Sequence, residues 1–337
     1  MTTAKGTPTA APPFTMPTKP PLVCHLLSPL YGGNISDQFY LLSQTVPRHG
    51  LCDFVVLDLP LWPNGTYPPD SYDFLPNGTG YKFLFTINVI DGHLVLTQIV
   101  LNTPNFKNSV RRIRKLQGLP LYGFGILNDL RIPTSAALAK ESADPLRALT
   151  NALRTEGVSS SEVRNFIAFR PSSYTLRRDI YQALLNVINS IRTIRLVFLL
   201  TLTLESTKYA LPSSAWDQSC QPLTNEVKMM DVVDLIASVW APKVNFTLTV
   251  SLRFDTFTHL RIADLGHGDV DLMLSYDHAS GYYERMVAAY RHLGYSRTRE
   301  YIIGWSVFNV SQGLAPQQCN GTDNRINQIR EVLDDNW

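Results

Sequence analysis

The chain of 337 residues has little charge, few cysteines and no long apolar run. Charged residues make up 17% of it and the formal net charge is +2, so the strongly basic balance of a dedicated nucleic-acid-binding protein is missing. The longest apolar runs, such as Leu196–Leu204, are much shorter than the roughly 18 residues of a membrane-spanning helix. We therefore expect a globular protein with no nucleic-acid partner and no membrane span in this chain.

Several catalytic and cofactor motifs are also missing from the sequence. It contains no GxSxG, Walker A or HExxH motif, and no glycine-rich turn follows the first apolar run. None of the cysteines forms a CxxC pair, and the spacing of His267, Asp269, Asp271, Asp277 and His278 matches no metal-ligand motif. The sequence therefore predicts neither a metal nor a cofactor.

Cysteines and glycosylation sequons indicate the compartment. Four cysteines suit two disulfides in a secreted chain, with three possible pairings: Cys24, Cys52, Cys220 and Cys319. Asn-x-Ser/Thr sequons occur at Asn34, Asn64, Asn77, Asn245, Asn309 and Asn320. Asn245 and Asn309 fall inside strand-like runs, so Asn34, Asn64, Asn77 and Asn320 are the predicted glycan carriers. We expect an extracellular protein.

Residues 1–20 differ in composition from the rest of the chain. They are rich in Thr, Pro and Ala and lack the apolar segment of a signal peptide, so we expect a disordered linker and a signal or anchor outside this sequence.

Strand-like and helix-like segments alternate over residues 21–337. Eight apolar runs read as strands: Leu22–Leu27, Cys52–Leu59, Lys82–Val89, Leu121–Leu130, Asn165–Phe169, Arg195–Leu204, Asn245–Phe254 and Tyr301–Val310. Helical patterns occupy Pro104–Leu116, Pro145–Arg154, Leu176–Ile191, Thr224–Trp240, Tyr282–Leu293 and Arg325–Leu333. Eight strands joined by helical crossovers predict one α/β domain, a closed (β/α)8 TIM barrel, with its functional site at the carboxyl ends of the strands. We expect a monomer.

The fourth strand carries a family resemblance. YGFGILNDLRIP, Tyr122–Pro133, resembles the YGFDGxDxDWEYP strand of glycoside hydrolase family 18, the chitinases and chitinase-like lectins. Ser275–Gly294 and Tyr301–Asn309 are similar to the closing segments of that family. The GLCDF and GWSVFNV strings resemble secreted family-18-like proteins of ticks and other arachnids. The resemblance implies a Cys24–Cys52 disulfide, which leaves Cys220–Cys319 by elimination.

Departures from the family motif predict a protein that does not hydrolyse sugars. The resemblance places Arg131 at the acid glutamate, Asp129 at the aspartate that orients the substrate acetamide, and Leu127 at the middle aspartate, while the first aspartate is deleted. A guanidinium stays protonated near neutral pH and cannot act as the general acid. Further departures are Asn88-Val89 in place of Gly-Gly and Leu204-Glu205 in place of Tyr-Asp. Either Trp305 or Phe308 stands for the sugar-stacking tryptophan.

Several interpretations stay open at this stage. We expect a non-catalytic protein that binds chitin-like or other glycans, with Asp129, Arg131, Glu205, Trp305 and Phe308 as candidate ligand-binding residues. Asp129 and Arg131 face the same side of a strand, so they either pair with each other or leave Arg131 to bind an anion. The alternatives are a glycosidase that uses Asp129 and Glu205, and a scaffold or immune decoy without a sugar site.

A basic run lies on the third predicted crossover. Arg111, Arg112, Arg114 and Lys115 are expected to form a solvated helix face, with a glycosaminoglycan-binding patch as the alternative.

Overall fold

Eight parallel strands close into a ring in the computed structural model. The model describes residues 19–26, 46–58, 61, 63–67, 75–76, 80–87, 101–116, 118–127, 136–169, 178–201, 228–239, 242–251, 255–259, 271–275, 279–293, 303–308 and 324–335. The linker predicted over residues 1–20 falls outside these residues except for Lys19 and Pro20.

The strands of the barrel lie where the sequence predicts them. They are β1 Leu22–Leu26, β2 Phe54–Leu57, β3 Phe83–Thr86, β4 Leu121–Leu127, β5 Phe166–Phe169, β6 Leu196–Leu199, β7 Asn245–Ser251 and, after two further strands, β10 Ile303–Phe308. The hydrogen-bonded order is β1-β10-β7-β6-β5-β4-β3-β2, and β2 pairs again with β1. The prediction of a closed (β/α)8 barrel is confirmed.

Helices follow the strands as crossover connections. They are α1 Pro104–Arg111, continued by a π-helical turn at Arg112–Leu116, then α2 Ala136–Thr155, α3 Arg178–Ser190, α4 Met229–Ala237, α5 Ala279–Leu293 and α6 Asn324–Asp335. Helix α1 shows why the sequence signal works: Thr103 caps it by accepting a hydrogen bond from the backbone N–H of Phe106 at 3.3 Å, and Pro104 occupies the first turn.

Two features were missed by the sequence patterns. Strands β8 Asp255–His259 and β9 Asp271–Ser275 form an antiparallel pair separate from the barrel. Four of the five residues of β8, DTFTH, are polar, so no apolar run marks it, and the apolar run of β9, DLMLS, is only three residues long. Helix α2 begins at Ala136 rather than at Pro145, because the alanine-rich residues 136–139 are strong helix formers and Pro145 is accommodated inside the helix.

Alternation along each strand divides the interior into two cores. The inner core fills the barrel axis and contains, among others, Val23, Phe54, Phe166, Phe198 and Phe308. The outer core lies between the strands and the helices and includes Phe83, Phe106, Val197 and Trp305. Both faces of every barrel strand are thus buried, which explains the nearly continuous apolar runs in the sequence.

A disulfide joins the first two strands. Cys24 in β1 and Cys52, just before β2, are bonded with 6.0 Å between their Cα atoms and a sequence separation of 28. A loop of that length corresponds to about 3–4 kcal/mol of stabilisation through the unfolded chain. The pairing implied by the resemblance is confirmed, whereas Cys220 and Cys319 lie outside the described residues.

Charged groups close the amino-terminal end of the barrel between the first strands and the last helix. Asp53 accepts hydrogen bonds from the backbone N–H of Leu22 at 2.8 Å and from Arg330 of α6 at 2.9 Å. Lys19 and Arg330 both pair with Asp334. Burial alone raises the pKa of Asp334, but hydrogen bonds from the two cations outweigh it and hold that pKa below its ordinary value.

A bulge in β4 sets which of its residues face the barrel axis. Phe83 pairs with Leu121 and Leu84 with Gly123, so Tyr122 is an extra residue on β4. Beyond it, Phe124 lies in the outer core and Gly125 faces Phe166 of the inner core. A Cβ atom on Gly125 would lie 2.3 Å from the Phe166 ring, so only glycine fits there.

The contact between Gly125 and Phe166 generates a prediction about stability. We expect Gly125→Ala to lower the free energy of unfolding by about 1–3 kcal/mol because the ring has to move. Since the clash is with that ring alone, adding Phe166→Leu to Gly125→Ala should cost less than the two single changes summed. Urea unfolding of the four proteins measures this coupling, and strictly additive effects would contradict the packing described here.

Candidate ligand-binding site at the barrel mouth

The mouth of the barrel is the end at which all eight strands terminate. In (β/α)8 barrels the functional groups come from these carboxyl ends and from the loops that follow. Among the described residues, the inner face at this end is built by β1, β2, β3, β6, β7 and β10. It carries aromatic rings, hydroxyl groups, one imidazole and one carboxylate.

An aromatic stack occupies the side of β1 and β10. His25 is 2% exposed and its ring lies flat against that of Phe308, with 3.8 Å between the ring centroids. Phe198 contacts His25 edge-on at 5.0 Å. Within the described part of the chain Nε2 of His25 has no hydrogen-bond partner. Because the surroundings are apolar, burial lowers the pKa of His25 to about 3, and the imidazole is neutral in the folded protein near neutral pH.

A carboxylate follows β2 at the same end. Oδ1 of Asp58 accepts a hydrogen bond from the Thr86 hydroxyl at 2.6 Å, and the backbone carbonyl of Thr86 accepts one from the Tyr67 hydroxyl at 3.3 Å. Burial and the nearby charge of Asp58 raise the pKa of Tyr67, so its phenol stays protonated and remains a donor. Asp58 is the one carboxylate that the described residues place at a strand end of the mouth.

Hydroxyl groups line the side formed by β6, β7 and β10. The Thr201 hydroxyl donates to the carbonyl of Thr249 at 2.7 Å and accepts from its N–H at 2.9 Å. The Thr249 hydroxyl lies 2.6 Å from that of Ser306, which also contacts Thr247 at 3.2 Å. These bonds satisfy buried polar groups inside the barrel.

The strand that carries the family motif, β4, is described as far as Leu127, and the motif residues after it are not described. Gly123 and Gly125 lie on the inner face, where the ideal Cβ of Gly123 would meet the Arg164 carbonyl at 2.3 Å. Leu127 ends β4. Asp129 and Arg131 lie outside the described residues, so the expectation that both face the mouth stays a prediction.

The two candidates on the eighth barrel strand are separated by the structure. Trp305 is fully buried on the outer face of β10, where its Nε1 donates to the Tyr290 hydroxyl of α5 at 3.1 Å. Phe308, 5% exposed, lies on the inner face at the end of the strand. The choice of Trp305 as a ligand-binding residue is therefore wrong, because the alternation of β10 turns it toward the helices and leaves Phe308 at the mouth.

The other predicted site residues have mixed positions. Glu205, the sequons Asn34, Asn77 and Asn320, and the second cysteine pair fall outside the described residues. Asn64 is exposed. Within the described part of the chain, no group of three or more His, Cys, Asp or Glu side chains is placed to hold a metal. A cavity of about 550 Å³ lies against the outer face of α5, beside Tyr283, Val287 and Arg291, and is not part of the mouth.

Sequence reasoning missed His25, Asp58 and Thr86. A usable signal exists for each of them. Each is a polar residue two positions after an apolar, inner-facing one, so the alternation of the strand points it to the barrel axis. The pairs are Val23 and His25 in β1, Val56 and Asp58 at the end of β2, and Leu84 and Thr86 in β3.

The barrel resembles those of known chitinases. No family model and no curated protein matches the chain. Among solved structures, the Group IV chitinase of Ostrinia furnacalis matches with a TM-score of 0.60 and 10% identity over 94% of this chain and 100% of that one. YKL-39, solved in the presence of chitooligosaccharides (GlcNAc4), matches with a TM-score of 0.60, 10% identity, and 93% and 99% coverage. A GH18 chitinase of Cycas revoluta in complex with (GlcNAc)3 matches with a TM-score of 0.58 and 12% identity over 94% of this chain and 99% of that one.

These matches confirm the resemblance to glycoside hydrolase family 18 at the level of the fold. The narrower likeness to tick and other arachnid proteins stays a prediction.

The buried imidazole generates a prediction about pH. The pKa of His25 is about 3 in the folded protein against 6.5 ordinarily, so between these values the unfolded chain binds one proton more. The free energy of unfolding therefore falls as pH falls from about 6.5, by up to about 1.4 kcal/mol per pH unit. Between about pH 7.5 and about pH 5, wild type should lose about 2 kcal/mol more than His25→Phe, which cannot titrate. Urea unfolding at the two pH values measures the difference, and equal losses in the two proteins would contradict the burial of His25.

Proposed function

We propose that this protein is a secreted, non-catalytic member of the chitinase-like family that binds N-acetylglucosamine polymers at the barrel mouth. The observation that carries the proposal is the inner face at that end, where the Phe308 ring and the Asp58 carboxylate lie in a barrel of the chitinase fold. The proposal has three parts: the ligand, the loss of hydrolysis and the compartment.

The ligand follows from the chemistry of the mouth. A pyranose presents an apolar face, which packs on an aromatic ring, and a rim of hydroxyl groups, which exchange hydrogen bonds with polar side chains. Phe308 supplies the ring, and the half-buried carboxylate of Asp58 supplies an acceptor at the same end. The match to YKL-39 solved with GlcNAc4 and to a chitinase bound to (GlcNAc)3 supports the same class of sugar for this chain.

The loss of hydrolysis rests on the motif positions together with the described mouth. Arg131 stands at the position that the resemblance assigns to the general acid, and its guanidinium does not release a proton near neutral pH. The titratable groups described at the mouth do not replace it: the Asp58 carboxylate accepts the Thr86 hydroxyl, and His25 is buried and neutral. Asp129 and Glu205 are the carboxylates that the sequence offers as candidates for a relocated mechanism.

The compartment is supported by the disulfide and the sequons. Cys24–Cys52 belongs to an oxidising environment. Among the described residues, no helix is long and apolar enough to cross a membrane.

The binding and catalytic parts are tested together with chitotetraose. We expect calorimetry to detect binding and chromatography to detect no cleavage. Phe308→Leu keeps apolar volume but removes the ring, so it should weaken binding about threefold to tenfold. Phe106→Leu is the matched control, because Phe106 is fully buried in the outer core and does not reach the mouth.

Other outcomes of this experiment separate the alternatives. Cleavage that disappears with Asp129→Asn or Glu205→Gln would overturn the non-catalytic proposal in favour of relocated carboxylates. No binding by wild type to any N-acetylglucosamine polymer on a glycan array would sink the lectin proposal and leave the scaffold. We expect Arg131→Glu alone to restore no activity, since the supporting motif residues are also replaced.

Asn64 is the sequon for which the described structure gives the clearest support. Its Oδ1 accepts hydrogen bonds from the backbone N–H of Thr66 at 3.0 Å and from the Thr66 hydroxyl at 2.7 Å, so the two sequon side chains already contact each other. The turn is exposed at Asn64, and Gly65 adopts a φ of 83°. Asn245, by contrast, is 2% exposed within β7, and a glycan has no room there.

We expect secretion from a eukaryotic cell to yield protein with a glycan on Asn64 and none on Asn245. Thr66→Ala should remove the Asn64 glycan, and the matched change Thr66→Ser, which preserves the sequon, should retain it. Glycopeptide mass spectrometry measures the occupancy. Unmodified Asn64 in secreted wild type would contradict this part of the proposal.

A further inference from the structure

A basic surface covers the end of the barrel opposite the mouth. We define the basal basic surface by six exposed cations at the amino-terminal ends of β3 to β7 and the carboxyl-terminal ends of the neighbouring helices: Lys82, Arg111, Arg112, Arg154, Arg192 and Lys243. Among the described residues no acidic side chain forms an ion pair with any of the six. They are far apart in sequence, and the fold brings them to one face.

Hydrogen bonds show that these segments are neighbours. The backbone carbonyl of Lys82 accepts a hydrogen bond from the N–H of Val55 at 2.9 Å. The next residue, Phe83, donates its N–H to the carbonyl of Pro120, just before β4. Arg114, in the turn after α1, donates to the carbonyl of Leu121. Further around the ring, the backbone N–H of Arg164 donates to the carbonyl of Tyr122 at 3.0 Å. The backbone N–H of Arg195 donates to the carbonyl of Asn165 at 2.9 Å.

The chain of contacts continues to β7. Asn245 donates its N–H to the carbonyl of Arg195 at 2.9 Å, and the N–H of Lys243 is bonded to the side chain of Asn189. The basal surface is therefore continuous from β3 to β7.

Like charges accumulate on this surface with few acids among them. Residues 80–83, 111–122, 153–166, 189–197 and 242–246 together contain ten Lys and Arg but only two acidic residues, Glu156 and Glu162. Glu156 pairs with Lys115 at 3.2 Å. Burial and then the charge of Arg195 lower the pKa of Arg164, and the charge of Glu162 opposes them. The guanidinium groups of Arg164 and Arg195 are therefore close enough to repel each other.

The helix dipole accounts for only part of this charge. Arg111 and Arg154 lie in the last turns of α1 and α2, where cations are favourable on any helix. Arg112 and Arg192 lie just beyond the ends of α1 and α3, whereas Lys82 and Lys243 precede strands, where no helix terminus favours a cation. The six exposed cations thus include positions of both kinds, and none of them has an acidic partner among the described residues.

We propose that the basal basic surface binds a sulfated polysaccharide. Guanidinium groups, which predominate here, make bidentate hydrogen bonds to sulfate oxygens, and a row of them matches a linear polyanion. The disulfide favours an extracellular polyanion over an intracellular nucleic acid. None of the described residues of this surface is an exposed aromatic of the kind on which single-stranded nucleic acids stack.

Binding to heparin tests the proposal. Wild type should bind immobilised heparin at about physiological salt, and the affinity should fall steeply as salt rises. Arg112→Gln with Arg192→Gln removes two cations of the surface. It should weaken heparin binding about tenfold and reduce the slope of log affinity against log salt by about two.

Controls keep the interpretation unambiguous. Lys107→Gln with Arg147→Gln removes the same charge from exposed helix positions outside the surface, and should change heparin affinity less than about twofold. Chitotetraose binding, where wild type shows it, should persist in the Arg112/Arg192 double variant, because the mouth lies at the other end of the barrel.

Four results would overturn the proposal. They are no heparin binding by wild type at about physiological salt, equal losses in the two double variants, equal affinity for fully desulfated heparin, and equal affinity for a DNA duplex of similar charge. The proposal does not depend on the sugar site at the mouth, so either site can fail without the other.

Discussion

The closed parallel ring is the constraint on which the other features of the molecule depend. Once β1 pairs with both β2 and β10, every barrel strand is covered on both faces, and each side chain belongs to the inner or the outer core. A single extra residue changes that assignment, as Tyr122 does in β4. The ring also separates two ends. The strand carboxyl ends form the mouth, while the strand amino ends and the helix carboxyl ends form the base.

Much of this architecture could be predicted from the sequence because buried parallel strands leave a strong local signal. All eight barrel strands and the helices after them lie near the apolar runs and the 3.6-residue patterns that indicated them. Strand β8 was missed because four of its five residues are polar, and β9 because its apolar run is only three residues long. The Cys24–Cys52 bond followed from the family resemblance, since spacing alone allowed three pairings.

The site was harder to predict because it depends on the phase of each strand. Trp305 and Phe308 are three residues apart, and both read as plausible sugar-stacking rings. The phase of β10 places one against Tyr290 of α5 and the other against His25. The motif positions are also only partly informative, because Arg131 shows what is missing from the chemistry, whereas His25, Asp58 and Thr86 show what the mouth contains. These three residues belong to different strands, and only the fold brings them together.

A net charge of +2 describes the whole chain but no single surface of it. Because strands run one way and their crossover helices the other, residues that precede strands and residues that end helices meet at the base. Cations can therefore collect there from five separate segments on the side of β3 to β7, while Asp53 and Asp334, at the same end near β1, already pair with Arg330. The near-neutral sum made the basic run at Arg111–Lys115 look like an ordinary solvated helix face. In the folded protein that run is one part of a larger basic surface. A near-neutral net charge therefore argues against polyanion binding only when the charges are evenly spread over the surface. In a (β/α)8 barrel they need not be, because the two ends of the barrel are built from different segments and can differ in charge.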